Sequence, residues 1–293
     1  MKLLTIITTT YNRAYCLHQV YEALCRQTCD NFLWLIVDDG STDDTASIVS
    51  SWKETGKIEI QYFFKPNGGM HTARNFAYEK TTTEINMIVD SDDWLTDDAV
   101  EKITMFWGRN KSDQYYGIVA NNINPKGELI GSSLPGKVKS CTLTDLFGKY
   151  HVKGDKKLIL RSDLSRLHPF PEFPGEKFYP ASYKYRLLDL AYELLIFDTP
   201  IGIVDYTDNS MTFNKFAQYK SCCHGFAHYR NEMIRISSSF RHNLREAIHY
   251  IAEAKMAGEK HYIRNSSKPL FAFLAWGPGL AYYWFLQHTS RKY

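Results

Sequence analysis

Between Leu3 and Asp90, apolar runs rich in β-branched residues alternate with segments of helical period, and no hairpin turn joins one run to the next. LLTIITT (3–9) reads as a strand ended by Asn12-Arg13, and Leu17, Val20, Tyr21 and Leu24 follow at helical spacing. FLWLIVDDGSTDDT reads as a buried strand meeting a turn, and ASIVSSWKE as a helix whose first turn is supplied with Asp and Thr caps. KIEIQYFF alternates as a strand, GMHTARNFAYEK has the period of a helix, and INMIVD is again a strand. Such alternation specifies an α/β fold, a mostly parallel sheet with helices on both faces whose ligands sit beyond the carboxyl ends of the strands.

Two acidic clusters stand at those ends. Asp38 and Asp39 close the second strand, Gly40 lets the chain turn sharply, and a carboxylate there can accept hydrogen bonds from a base or ribose. Helix capping explains Ser41 to Thr45 equally well, but not the two acids upstream of the cap. MIVDSDDWLTDDAV (87–100) gathers Asp90, Asp92 and Asp93 directly behind an apolar run. Like charges so close are tolerated only where water or a cation screens them. In an extended stretch Asp90 and Asp92 point to one side and can share a hard cation, Mg²⁺ or Mn²⁺, that takes its remaining ligands from waters and a substrate's phosphates. The competing reading is a solvated turn capping a helix from Thr96, with Asp97 and Asp98 favouring its dipole.

Between the clusters lies KPNGGMHTARNFAYEK. Asn67, Gly68 and Gly69 form a turn that admits close backbone approach, and His71 and Arg74 fall on the first turns of the next helix. Arg74 can present a fork of donors to a diphosphate where the helix N-terminus already favours anions. Pairing with Glu79 or Glu84 is its alternative use.

Composition narrows the partners. The 293 residues are 44% hydrophobic, enough for one large domain or two unequal ones, and 35 basic against 32 acidic side chains leave only +3, no electrostatic case for nucleic acid. Six cysteines without a CxxC pair suggest neither a disulfide scaffold nor a structural zinc site. Thr5, Thr8, Thr9 and Thr10 break the first apolar run before a signal-peptide core can form, so the expectation is a cytoplasmic catalytic body.

TIITTTYNR, LIVDDGSTDDT, NGGMHTARN and IVDSDDW, in that order within about the first 100 residues, closely resemble the family 2 glycosyltransferases with the GT-A fold, of the bacterial polysaccharide-biosynthesis type. The resemblance implies that Tyr11 packs on the nucleobase with Thr9 beside it, that Asn12 and Arg13 belong to the same nucleotide-sugar site, and that Asp39, supported by Asp38, reads the base. It implies also that Asn67, Gly69 and Arg74 lie along the diphosphate, that Asp90 and Ser91 meet the ribose, and that Asp90 and Asp92 hold Mn²⁺ or Mg²⁺, with Asp92 catalytic. Asp93 matches a frequent third acid with a structural or acceptor-facing role. In the acceptor half, FPEFPGEKFYPASY offers Glu176 as the base, with Glu172 as fallback. Relatives often carry Glu-Asp after the glycine, and here Lys177 replaces the second acid; a neighbouring ammonium keeps Glu176 ionised. VDYTDNSMTFNK adds Asp205, Asp208 and Asn209, among which spacing selects none.

What the resemblance implies is a metal-dependent, inverting transfer of a sugar from a nucleoside-diphosphate donor, UDP-linked, to a hydroxyl of a glycan or lipid-linked glycan. A nucleotidyltransferase is the alternative enzyme, but it would carry a glycine-rich basic loop after the first strand, where TTTYNRAY has no glycine. A catalytically inactive sugar-nucleotide-binding subunit is the other alternative, against which the complete acidic clusters argue.

The expected division is a nucleotide-sugar half (1–110), an acceptor half (111–215) and a helical extension (216–293), with 216 to about 258 as one long or two consecutive helices. PLFAFLAWGPGLAYYWFL (269–286) carries no formal charge and is followed by His288, Arg291 and Lys292. It is short for a span, and Gly277-Pro278-Gly279 should break it in two. Segment 269–288 either contacts a membrane surface, placing the protein peripherally on the cytoplasmic face of the inner membrane, or packs on the chain's own core.

Overall fold

The computed structural model describes residues 2–205 and 215–289. Asp208, Asn209, Arg291 and Lys292 lie outside the described residues. The chain divides into two compact units, Met1–Pro169 with Lys184–Tyr206, and Phe170–Tyr183 with Thr207–Tyr293.

In the first unit, β1 (Leu4–Thr10), β2 (Phe32–Asp38), β3 (Ile60–Phe64) and β4 (Ile85–Ile88) lie parallel in the order β3-β2-β1-β4. Helices α1 (Ala14–Cys25), α2 (Thr45–Thr55) and α3 (Met70–Lys80) connect them, as the hydrophobic spacing requires. Leu17, Val20, Tyr21 and Leu24 of α1 pack with Leu4, Ile6, Trp34 and Ile36 of the sheet. Each such fully buried aliphatic side chain contributes about 1.5–3 kcal/mol relative to exposure. Threonines survive in the buried β1 because their hydroxyls are used: Thr8 donates to the Val89 carbonyl at 2.9 Å and accepts from Trp34 Nε1 at 3.0 Å.

Beyond β4 the sheet continues through β8 (Lys156–Arg161), antiparallel to both β4 and β6 (Tyr115–Ile123), and then β9 (Glu193–Val204), parallel to β6. The short β5 (Asp93–Leu95) and β7 (Ser140–Cys141) each pair antiparallel with β9, and α4 (Ala99–Asn110), α5 (Leu143–Gly148) and α6 (Ser162–Leu167) fall between these strands in sequence. SYKYRLLDLAYEL, which has helical period throughout, forms only α7 (Ser182–Leu188) before β9 begins.

The second unit contains α9 (Cys223–Ile236), α10 (Phe240–Met256), α11 (Tyr262–Asn265), α12 (Pro269–Leu274) and α13 (Trp276–Thr289). Residues 216 to 258 are not one or two helices: α8 (Lys215–Ser221) precedes α9, and a further break falls at Ser237–Ser239, where the Ser239 hydroxyl caps α10. The apolar C-terminal segment also breaks differently from expectation. The interruption is at Ala275, and Gly277-Pro278-Gly279 forms the first turn of α13, where the missing proline N–H costs no bond. The contact surface between these helices is alanine-rich, with Ala227, Ala247, Ala254, Ala272 and Ala275 around Tyr250 and Ile251. A Cβ on Gly279 would stand 2.5 Å from that of Ile251, so α13 sits against α10 at backbone distance. No helix among the described residues is long and apolar enough to cross a membrane.

Candidate active site

Strand register brings the motif loops to one edge. Thr10 pairs with Asp38 and Asp38 with Phe64, while Ile7 pairs with Ile88, so Asp90 follows at the same carboxyl rim. Asn12 takes a left-handed φ of 53°, which asparagine tolerates, and this aims its amide at the next loop. Its N–H donates to Ser41 Oγ at 2.8 Å, and its Oδ1 accepts from the Thr42 N–H at 2.7 Å. Thr9 is half-buried and Tyr11 exposed beside this staple, leaving the Tyr11 ring open to stacking.

The two acids of β2 turn inward. Asp38 accepts from the Ser41 N–H at 2.7 Å and the Tyr62 hydroxyl at 2.6 Å. Burial and this carboxylate push the Tyr62 phenol well above its ordinary pKa. Asp39, buried, accepts four hydrogen bonds: from Lys65 Nζ (2.7 Å) and the Gly68 N–H (3.0 Å) on one oxygen, from the Gly69 N–H (2.7 Å) and Asn67 Nδ2 (3.2 Å) on the other. Gly69 has φ +95°, a backbone that side chains rarely adopt and that delivers its N–H to Asp39. The resemblance implies Asp39 as a base reader; what the geometry shows is its carboxylate clamping the Asn67–Gly69 turn.

The acidic rim is arranged as two arginine-carboxylate pairs. Residues 90 to 93 are not extended: the Asp93 N–H closes a turn on the Asp90 carbonyl at 3.0 Å, so the shared-side argument for Asp90 and Asp92 gives way to turn geometry. Arg74 on α3 donates to Asp90 Oδ1 at 3.0 Å, and Arg13 donates to Asp92 Oδ2 at 3.1 Å. Burial opposes the Arg74 charge, but Asp90, with Tyr185 and Tyr78, more than offsets it and raises the guanidinium pKa. Asp90 and Asp92 keep 49% and 43% of their side-chain surface exposed, and the second oxygen of each is unengaged among the described residues. Ser91 between them is buried.

Asp93 differs from its neighbours. It lies against Lys157 of β8 at 3.1 Å, and burial, moderated by Lys157 and reinforced by Asp90, pushes its carboxyl up to about 6. Behind Arg74, Lys184 on α7 is fully buried, donates to the Ser165 carbonyl and stands 3.9 Å from the Tyr78 ring centroid. Burial first and the Arg74 charge second bring its ammonium down to about 7.

Glu176 belongs to the second unit and is itself buried. Oε1 accepts from the His224 N–H (2.8 Å) and pairs with His224 Nδ1 (2.9 Å), and Oε2 accepts from the Gly225 N–H (2.8 Å). The carboxylate thus closes the N-terminus of α9, where free N–H groups and the helix dipole favour an anion. Cys223 Sγ lies within the same small cluster, but the glutamate oxygens are already engaged by backbone N–H groups. Glu172 is exposed.

The sequence profile of glycosyl transferase family 2 matches residues 5–167, more than half of the chain. The chain belongs to glycosyl transferase family 2. Among curated family relatives, an uncharacterized glycosyltransferase of Rickettsia felis is 34% identical over 131 residues, covering 44% of this chain and 21% of that protein. The glycosyltransferase GlyA of Streptococcus pneumoniae is 27% identical over 187 residues, covering 56% of this chain and 26% of its own length. The chain therefore spans about a quarter or less of these two relatives. Residues 1–349 of Staphylococcus aureus TarS, solved with UDP-GlcNAc, superpose with a TM-score of 0.61 at 16% identity over 100% of this chain and 92% of that fragment. A Pyrobaculum calidifontis mannosyltransferase, solved with GDP-Man and Mn²⁺, gives 0.56 at 17% identity over 97% and 81%. These likenesses establish the GT-A fold expected from the motifs.

Within this family 2 frame, the first unit sets the residues along one rim in separate hydrogen-bonded groups: Asn12 and Asp38 through Ser41, Asn67 and Gly69 on Asp39, Arg74 on Asp90, and Arg13 on Asp92. Sequence reasoning missed Lys65, Lys157 and Lys184. Lys65 directly precedes the Pro66-Asn67-Gly68-Gly69 turn and was the most findable of the three, because a buried acid pair calls for a local cation.

Proposed function

We propose that this chain is a metal-dependent, inverting glycosyltransferase that moves a sugar from a nucleoside-diphosphate donor, UDP-linked, to a hydroxyl of a glycan or lipid-linked glycan. The observation that carries the reading is the pair of half-exposed carboxylates, Asp90 and Asp92, each held by its own arginine with one oxygen open among the described residues. Two hard, anionic oxygen donors at a solvent-facing rim fit Mn²⁺ or Mg²⁺ better than any softer metal. The β5–β9 register pairs Asp93 with Val204, but the carboxylates of Asp90, Asp92 and Asp205 do not converge as a three-carboxylate group among the described residues. A divalent ion bound at Asp90 and Asp92 supplies positive charge against the departing diphosphate.

The chain's own residues do the rest. Tyr11 stacks on the base, with Thr9 and Ser91 lining the nucleoside. Asp39 keeps the Asn67–Gly69 turn closed so that backbone, not side chain, approaches the donor. Arg74, whose Nε has no hydrogen-bond partner among the described residues, stabilises the oxyanions of the leaving group. We assign Glu176 the acceptor's proton on the likeness of its motif; among the described residues its oxygens accept from the His224 and Gly225 N–H groups, which a proton transfer would have to leave in place or displace.

The test is release of nucleoside diphosphate from a panel of sugar nucleotides, with and without Mn²⁺, by the parent chain and Asp92→Asn. Turnover that needs the metal and disappears in the variant supports the reading. Nucleotide binding without sugar transfer or hydrolysis would instead identify an inactive binding subunit, and pyrophosphate release from a nucleoside triphosphate would identify a nucleotidyltransferase.

A further inference from the structure

The helices α12 and α13 contradict the usual economy of a protein surface. Leu270, Phe273 and Trp284 are 66%, 68% and 62% exposed, and Leu274, Trp276 and Phe285 are exposed as well. On α13 the outward positions Pro278, Ala281, Trp284 and Phe285 follow helical spacing, while Gly279 and Leu286 face inward. Both faces of this helix are therefore apolar, a pattern that belongs to a helix covered on all sides. The patch extends onto the start of α10, where exposed Phe240 meets Phe271 with ring centroids 5.2 Å apart. A contiguous apolar face of this kind on a soluble domain marks an interaction site.

The charges beside it select the occupant. From residue 260 to 289 the chain has no Asp or Glu, but it has Lys260, Arg264 and Lys268. Arg264 lies on α11 and is exposed, whereas Lys268, the N-cap of α12, is half-buried with its ammonium on the Ser237 carbonyl and adds charge only from within the face. Two neighbours add to them: Arg241 follows Phe240, and Lys255 Nζ stands 5.3 Å from the ring of Tyr283 on α13. A second copy of the chain docking through this face would set cations against cations. An anionic surface that also accepts tryptophan and phenylalanine at its boundary satisfies both features. At 1.5 Å per residue the 14 residues of α13 extend about 21 Å, short of the roughly 30 Å hydrocarbon core, so the helix fits in the plane of an interface.

We infer that α12 and α13 form an in-plane docking face for an anionic lipid bilayer, with the aromatic side chains entering the boundary and the flanking cations meeting the headgroups. Docking of this kind is independent of donor chemistry. It is read without nucleotide or acceptor, so its failure leaves the transferase reading standing.

The experiment is co-sedimentation of the full chain with vesicles of phosphatidylcholine alone and of phosphatidylcholine mixed with phosphatidylglycerol, alongside light scattering of the chain in solution. Expected are binding to the mixed vesicles that weakens with salt, and a loss of about tenfold or more in Phe273→Ser/Trp284→Ser/Phe285→Ser. Lys260→Glu/Arg264→Glu should weaken binding to the mixed vesicles specifically. Thermal melting confirms that the variants fold, and Trp284→Ser alone, at an exposed position, serves if the triple variant does not. The inference is overturned by absence of binding to the mixed vesicles, by equal binding to both vesicle types, or by undiminished binding of the folded variants. A dimer of the parent chain that the apolar substitutions dissociate would likewise overturn it.

Discussion

Arg74 donates to Asp90 across 3.0 Å from a guanidinium that is almost wholly buried to a carboxylate that is half exposed. Helix α3 thereby fixes one acid of the rim while leaving that acid's other oxygen to solvent. Arg74→Lys loses the planar fork and the short reach to Asp90. Nucleoside-diphosphate release should fall by about 100-fold or more, with most of the loss in kcat, as for removal of a donor that acts on a developing oxyanion. Steady-state kinetics on the preferred donor measures it.

Asp92→Asn should separate metal binding from folding. Among the described residues Asp92 is bonded at the surface to Arg13 alone, so its loss costs the fold about 1 kcal/mol or less. The rise in melting temperature that Mn²⁺ and nucleoside diphosphate together give the parent should vanish in the variant. Differential scanning fluorimetry with each ligand alone and both together decides it.

Asp39 is a different kind of acid. Asp39→Ala removes acceptors from Lys65, Asn67 and two backbone N–H groups in a buried place, and should destabilise the chain by about 3–5 kcal/mol. Asp39→Asn should recover only part of this, because its amide must face a donor on one side. Chemical denaturation of the three proteins ranks them.

Glu253 gives a pH signature. It shares Arg230 with Glu246, which takes the 2.8 Å bond and is held below its ordinary pKa, while Glu253 lies at 3.4 Å. Burial, offset only in part by Arg230, pushes Glu253 up to about 8 from 4.5. The folded chain therefore binds an additional proton between those values, and this contribution to stability is lost as pH rises through about 8. Glu253→Gln stays neutral. It should match the parent near pH 5 and exceed it near pH 9 in denaturant titrations, since only the parent must ionise a buried group.

Glu176→Gln should lower transfer to acceptor far more than donor hydrolysis by water, by about 100-fold, consistent with loss of a general base. It should also lower the melting temperature, because the glutamine amide must face one of the two α9 N–H groups from which the buried carboxylate accepts. Comparing acceptor-dependent and acceptor-independent nucleotide release separates the two roles.

The parallel half of the sheet was legible because each element declares itself locally, in the β-branched runs of β1 and β2 and the spacing of Leu17, Val20, Tyr21 and Leu24. The rim acids were legible too, since Asp38, Asp39, Asp90 and Asp92 follow strand ends. Their partners were not. Arg13 and Asp92 are 79 residues apart, and Asp93 and Lys157 are 64 apart, pairings that exist only once β5 and β8 have taken their places. Lys184 carries no signal of its own within SYKYRLLDLAYEL, and only tertiary packing near Tyr78 and Arg74 buries it. The breaks at Ser221–Cys222 and Ser237–Ser239 were missed because their local periodicity barely falters.

Gly40, with φ +87°, carries a further implication: a Cβ there would stand 2.8 Å from the Asn67 backbone nitrogen. The loops after β2 and β3 are thus interlocked at a point with no room for a methyl group. Directed evolution of donor preference that varies residue 40 alone will return only inactive clones, and libraries must randomise 40 and 67–69 jointly, transplanting both loops as one cassette.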